Sequence, residues 1–348
     1  MEPIKGRGSS DNPTNRFENL YLDYDLDEET GEKPAPGTKL LTDHTKKIIS
    51  TNDSPDIPFN KSINPYRGCE HGCIYCYARP THEFLGMSAG LDFESKIVVK
   101  YNAAKLLREA LSKKSWKPEP LIMSGVTDPY QPIERNLKIT RGCIEVLAET
   151  RHPLGIITKN HLVTRDIDLL SELAKFQAVS VTVSVTTLDR ELARIMEPRT
   201  SQPQRRLDAI RTLSDAGIPV KVNVAPIIPG LTDHELVSIL DAAADAGAIG
   251  AGYTLVRLPY GVKDLFVKWL EDHFPERKSK VINRILDIRD GKLNRSEFGE
   301  RFTGQGNYAG QIGQLFLHTA ARLNFNRNRK PLSARSFRRP ETGQLHLF

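Results

Sequence analysis

Between about residues 60 and 260 the chain alternates short β-like runs with helical patterns, and no other feature limits its fold as much. The expected strands are 62–66, 120–124, 154–158, 179–185, 220–225 and 251–257. The expected helices between them are 101–111, 140–149, 165–176, 203–216 and 233–246. Thr232 and Asp233 are good helix N-caps, and Gly217 and Gly247 are good helix stops. A strand joined to the next through a helix pairs with it in parallel, so the expected class is α/β. Several consecutive apolar positions in each run suggest strands covered on both faces. The spacing is too irregular for a solenoid. An open doubly wound sheet and a barrel both satisfy this pattern. In either, the loops that follow the strands gather at one face, where sites form.

The 348 residues suit one barrel-sized domain with extensions. Residues 1–55 read as an irregular arm lying on that domain, with an acidic stretch from Asp23 to Glu32 and a KPAPG linker. Residues 56–260 form the core unit, 261–325 a helical extension, and 326–348 a basic, flexible tail. Apolar residues make up 39% and charged residues 26%, as in water-soluble globular chains. No apolar run approaches the ~20 residues of a membrane helix. The start MEPIKGRGSSDNP has no hydrophobic signal core, so the expectation is a cytoplasmic protein with no membrane partner. A net charge of +6 and a pI near 9.0 permit a polyanionic partner without requiring one. Oligomeric state is not legible.

Three of the four cysteines, Cys69, Cys73 and Cys76, fall in the run NPYRGCEHGCIYCYARP just after the first expected strand. Clustered thiols are not a disulfide framework. Three thiolates at C-x3-C-x2-C spacing can hold three corners of a four-iron cube and leave the fourth iron open to a small molecule. Zinc is the competitor. A structural zinc site needs four ligands, usually as two separated pairs, and here only His71 or His82 could complete it. That alternative would make the chain a zinc-stabilised, non-catalytic nucleic-acid-binding protein. Gly68 and Gly72 supply the permissive backbone a tight loop needs. Tyr75 and Tyr77 flank Cys76 and either shield a cluster or simply pack. Cys143 lies between apolar neighbours on an expected helix and reads as core.

C-x3-C-x-aromatic-C after a first strand resembles the signature of the radical S-adenosylmethionine (SAM) superfamily. The longer run YRGCEHGCIYCYARP, with SGVTDPYQPIE, TKN and APIIPG further on, is similar to the DNA-repair-photolyase-like branch, which includes spore photoproduct lyase. The resemblance spans roughly residues 55–320. It implies a partial (β/α)6 TIM-like barrel, a [4Fe-4S] cluster and SAM. It further implies a one-electron reductant of flavodoxin or ferredoxin type, and a 5′-deoxyadenosyl radical that abstracts a hydrogen atom from the substrate.

The resemblance also assigns SAM contacts. Ser124, Gly125, Thr127 and Asp128 occupy the segment that meets the amino group, although the family's usual Gly-Gly-Glu is absent. Lys159 falls where a lysine pairs with the carboxylate, and Ser184 where a serine meets the ribose. Glu197 and Arg199 are expected at the same pocket, with a surface ion pair as the alternative. Residues 121–128, LIMSGVTD, lack the hydrogen-donating cysteine of spore photoproduct lyase. Tyr253, Tyr260 and Tyr308, or SAM itself, are the candidates to return a hydrogen, with none of the tyrosines preferred. A nucleic-acid substrate rests on the branch and on the basic tail, with a peptide or small molecule as the alternative.

Overall fold

The structure is a computed structural model and describes residues 4–17, 37–327 and 330–340. The acidic stretch lies outside these residues. Among the described residues ten strands form two sheets: β1 (Lys39–Thr42), β2 (Ile49–Thr51), β3 (Lys61–Ile63), β4 (Tyr66–Arg67), β5 (Lys96–Val99), β6 (Leu121–Met123), β7 (Leu154–Thr158), β8 (Val179–Ser184), β9 (Val220–Ile227) and β10 (Gly250–Leu255). The large sheet has the order β10-β9-β8-β7-β6-β3-β2. Every pair from β3 to β10 is parallel, and β2 closes the edge antiparallel to β3. The small sheet, β1-β5-β4, supports the cysteine loop and was not foreseen.

The helices are α1 (Leu91–Ser95), α2 (Ala103–Ser112), α3 (Glu134–Leu137), α4 (Ile139–Glu149), α5 (Ile167–Lys175), α6 (Arg190–Met196), α7 (Pro203–Asp215), α8 (Leu236–Asp245), α9 (Val262–His273), α10 (Pro275–Asp287) and α11 (Gly306–Arg322). Helix α7 starts with proline at its first position, where a missing N–H costs nothing. Helix α6 escaped the sequence reading because it is only two turns long. Its Asp189 cap accepts the amides of Glu191 (2.8 Å) and Leu192 (3.1 Å).

Five of the six strands expected between 60 and 260 are present, while the run 62–66 divides between β3 in the large sheet and β4 in the small one, and two strands carry a different pattern from the one expected. In β8, Val179, Val181 and Val183 are buried against the helices, while Ser180, Thr182 and Ser184 line a cavity. In β9, Val220, Val222 and Val224 are buried, while Lys221, Asn223 and Ala225 line the same cavity. These strands therefore alternate with period two. The valines join Leu170, Leu173, Ile210, Leu213, Ile239 and Leu240 in the main core. Each such side chain contributes about 1.5–3 kcal/mol on burial.

Helices α9 and α10 form a second core in which Phe266, Trp269, Leu270 and Ile285 pack with Cys73, Ile74 and Tyr75 behind the cysteine loop. Residues 323–327 and 330–333 lie across the starts of the parallel strands. Asn326 donates through its amide to Ile249 O (3.2 Å) and through Nδ2 to Ala251 O (2.9 Å). Gln177 Nε2 donates to Pro331 O (2.9 Å), and Ser333 N donates to Gln177 O (2.9 Å). Beyond Ser333, residues 334–340 are held against the core. Arg338 donates to the carbonyls of Glu149 and Thr150, Arg339 to those of Lys113 and Lys114, and Phe337 meets His152 edge-on. Among the described residues no helix is long and apolar enough to cross a membrane.

Candidate functional site

A cavity of about 1280 Å³ runs from the cysteine loop to the starts of the strands. Cys69, Cys73 and Cys76 all line it, at the end where the strands finish. Gly68 (φ +78°) and Gly72 (φ +66°) both take the left-handed backbone expected of them. The loop is tied down by Cys69 N to Phe93 O (2.9 Å), Ile74 N to Met196 O (3.1 Å) and Cys76 N to Cys73 O (3.2 Å).

Arg79, fully buried, holds this loop from below. Its Nε donates to Cys73 O (3.0 Å), and its Nη atoms reach Gly72 O (3.2 Å), Ala89 O (3.2 Å), Gly90 O (3.0 Å) and Glu94 Oε1 (2.5 Å). Glu94 in turn accepts the amides of Gly8 (3.0 Å) and Ser9 (2.9 Å) from the N-terminal arm. The sequence reading missed this support, since nothing local distinguishes Arg79 from a surface arginine.

The thiols are buried, which pushes their pKa values up. For Cys69 the Asp128 carboxylate and the other two thiols push further, and the backbone N–H of Asp128 pulls back. For Cys76, burial is opposed by Arg79 and by the amides of Ala78 and Arg79. Amides aimed at sulfur are what a cluster's thiolates require. Among the described residues no three His, Cys, Asp or Glu side chains converge to chelate a single metal ion. A zinc ion needs such convergence. A cube does not, because each thiolate binds a different iron. Three thiols on one loop that open into one cavity are a donor set that fits three corners of an iron–sulfur cube.

Ser124, Gly125, Thr127 and Asp128 line the cavity beside the loop. Ser124 has φ +91°, a strained value for a residue with a side chain. A Cβ on Gly125 would meet Ser62 Oγ at 2.8 Å, so glycine is needed there. Two of the three side chains are already engaged. Thr127 Oγ1 donates to Tyr66 O (2.9 Å). Asp128 accepts Thr158 Oγ1 (2.7 Å), Tyr130 N (2.9 Å) and Lys159 N (2.8 Å). It also faces His71 Nδ1 at 3.5 Å. Asn160 Nδ2 donates to His71 Nε2 (3.2 Å), and burial lowers the His71 pKa to about 4, so this ring is neutral.

Lys159 projects into the cavity and donates to Ala225 O (3.0 Å). Burial lowers its pKa, with the Cys73 thiol acting in the opposite sense. Ser184 lines the wall at the end of β8. Arg199 does not line this cavity. Its guanidinium pairs with Glu70 (3.0 Å) and reaches Thr38 Oγ1 (3.3 Å). Glu197 is neither a cavity group nor a surface ion pair. It is fully buried, bound to Arg206, Tyr75 and Thr186, and burial raises its pKa. Of the three tyrosines, Tyr253 lines the cavity; Tyr308 bonds Asp233, and the exposed Tyr260 lies against Arg16. Cys143 is core, as expected.

The family model for the radical SAM superfamily matches residues 63–243, just over half of the chain. The chain belongs to the radical SAM superfamily. It is similar to an uncharacterised protein of Mycobacterium tuberculosis, 41% identical over 226 residues, which is 64% of this chain and 66% of the relative. The match thus spans just under two thirds of that relative's length. This radical SAM chain is also similar to an uncharacterised protein of Methanocaldococcus jannaschii, 31% identical over 71% of this chain and 88% of the relative. In fold it resembles spore photoproduct lyase, with a TM-score of 0.55 at 17% identity over 82% of this chain and 79% of that one.

Proposed function

We propose that this chain is a radical SAM enzyme whose substrate enters the central cavity and loses a hydrogen atom there. The reading is carried by one observation: three free cysteines on a single loop, two buried and one half-buried, open into a cavity large enough for SAM and a second molecule. Cys69, Cys73 and Cys76 would hold a [4Fe-4S] cluster, which supplies one-electron cleavage of SAM to a 5′-deoxyadenosyl radical.

The protein's own part is to bind, orient and exclude water. Lys159 offers a cation to the SAM carboxylate, and Ser184 a hydroxyl to the ribose. Ser124 and Gly125 offer a close backbone to the amino group. Asp128 acts mainly by fixing the Thr158–Lys159 corner, because its oxygens are already in use. Arg199 loses its role as a SAM contact in this proposal and becomes a brace for the loop through Glu70.

A partial (β/α)6 barrel is supported by the six parallel strands and by the side chains of β8 and β9 facing one cavity. Residues 56–260 would be its core and 261–325 its helical extension. A cytoplasmic setting is supported by four unpaired cysteines. A one-electron reductant of flavodoxin or ferredoxin type is required by the chemistry. Nucleic acid as substrate is supported by the likeness in fold to spore photoproduct lyase. The docked Arg338 and Arg339 add nothing to it, since protein carbonyls occupy their guanidinium groups.

The test is anaerobic reconstitution with iron and sulfide, followed by reduction in the presence of SAM. The expected result is about four irons per chain and formation of 5′-deoxyadenosine. A colourless protein that keeps one tightly bound zinc would overturn the proposal. So would a fully loaded cluster that yields no 5′-deoxyadenosine.

A further inference from the structure

Arg257 lies just beyond the end of β10, on the wall of the cavity, between two aromatic rings. Its guanidinium carbon is 5.5 Å from the Tyr77 ring centroid and 5.1 Å from that of Phe302. Phe302 is itself held in place, because its carbonyl accepts the amide of Leu255 (2.8 Å). Tyr77 is fixed by a bond from its hydroxyl to Gly125 O (3.2 Å), and half of it is exposed.

Among the described residues, Arg257 makes no hydrogen bond or ion pair, and its Nε is out of reach of solvent with no partner. The nearby carboxylate is committed elsewhere. Asp56 accepts Arg301 Nε (2.7 Å) and Arg301 Nη2, together with Gly299 N (3.2 Å). Arg257 therefore stands near a second guanidinium, Arg301, which already holds the Asp56 carboxylate. Arginine is the side chain that binds planar or tetrahedral oxyanions through a rigid fork, and stacking on rings holds that fork in place. The Nη donors also lack a partner among the described residues and Arg257 lines the cavity, which leaves the open edge of its fork to something that enters there.

We infer that Arg257 receives a phosphate of a single-stranded nucleotide substrate, with the exposed Tyr77 ring available to stack a base. The inference rests on the proposed radical SAM reading and names the substrate class of that same cavity. Nucleotide is favoured over a peptide carboxylate because the oxyanion receptor is flanked by aromatic side chains, Tyr77, Phe302 and the cavity-lining Phe59. Bases of any identity stack on such surfaces, and arginine adds to the stack.

The experiment uses the full, anaerobically reconstituted chain and a fluorescein-labelled thymidine octanucleotide, read by anisotropy between 50 and 200 mM salt. Arg257→Gln is expected to weaken binding about tenfold or more. It should also reduce the slope of log affinity against log salt by about 0.7, the value for one phosphate contact on a single strand. Arg257→Lys, which keeps the charge and loses the fork, should fall between, and Tyr77→Ala should weaken the octanucleotide more than an abasic one. Equal affinity for wild type and Arg257→Gln overturns the inference. So does an octaglutamate peptide that binds in an Arg257-dependent manner while the octanucleotide does not. Retention of the wild-type thermal midpoint by Arg257→Lys shows that loss of binding is not loss of fold. Formation of 5′-deoxyadenosine by the wild-type protein reports the radical SAM reading separately, so either idea can fail alone.

Discussion

Arg79 Nε donates to the backbone carbonyl of Cys73 at 3.0 Å, from a position with no exposure to solvent. This bond fixes the middle cysteine through its main chain and leaves the thiol free. The charge of Arg79 is met by Glu94, also fully buried.

Arg79→Met should therefore cost about 3–5 kcal/mol, the penalty for stranding a buried charge. Urea unfolding measures it, and iron bound per chain after reconstitution should fall in parallel. A variant with wild-type stability and full iron would contradict the support described for the loop.

Gly8 is the second handle on the same loop. A Cβ there would lie 1.6 Å from the Gly72 carbonyl oxygen, which is backbone and cannot turn aside. Gly8→Ala should displace the arm and open the bonds from Gly8 and Ser9 to Glu94. The expected signs are faster proteolysis within residues 4–17 and a loss of about 1–3 kcal/mol. Unchanged cleavage by a nonspecific protease would show that the arm is not seated as described.

Asp128→Asn replaces one accepting oxygen with a donor that faces Thr158 Oγ1 or Lys159 N. The loss in stability should be about 1–3 kcal/mol. Misplacement of Lys159 should slow formation of 5′-deoxyadenosine about ten- to a hundredfold. Thr158→Val, which removes only one of these bonds, should lose less on both counts. Reversal of that order would remove Asp128 from its positioning role.

Burial lowers the pKa values of His82 and His152 from the ordinary 6.5 to about 4. His82 Nε2 meets Lys96 O (2.9 Å), and His152 is held neutral between Pro153 O (3.1 Å) and Trp116 Nε1 (3.2 Å). Between pH 6.5 and 4 the unfolded chain takes up protons that the folded chain refuses. Their contribution is therefore complete above pH 6.5 and is lost as the pH falls toward 4. Unfolding free energies measured at pH 7, 6, 5 and 4.5 should decline, with a shallower slope in His152→Gln. A flat profile would mean that these rings titrate normally.

The local parts of this molecule were legible in its sequence. The cysteine spacing and the glycines before Cys69 and Cys73 are short-range signals, and the structure gives both glycines the positive φ they were expected to supply. The strands were legible too, yet VSVTVS and VKVNVA were read as doubly covered when their alternation already described a polar inner face. What could not be read were the long-range partnerships. Arg79 and Gly8 both bond Glu94, and Arg199 pairs with Glu70 instead of lining the cavity. Arg257 gained meaning only when Phe302, 45 positions later, came to lie over it. Such pairings depend on the fold and leave no local pattern.

The strap formed by residues 323–327 and 330–333 gives the cavity an order of assembly. The cysteine end is built from segments made early in translation, while the opposite end is covered by one made far later. Until that strap emerges, Ser180, Lys221 and their neighbours face open water. Synthesis therefore delivers a vessel that is open at the bottom while its upper fittings are already in place, and seals it only afterwards.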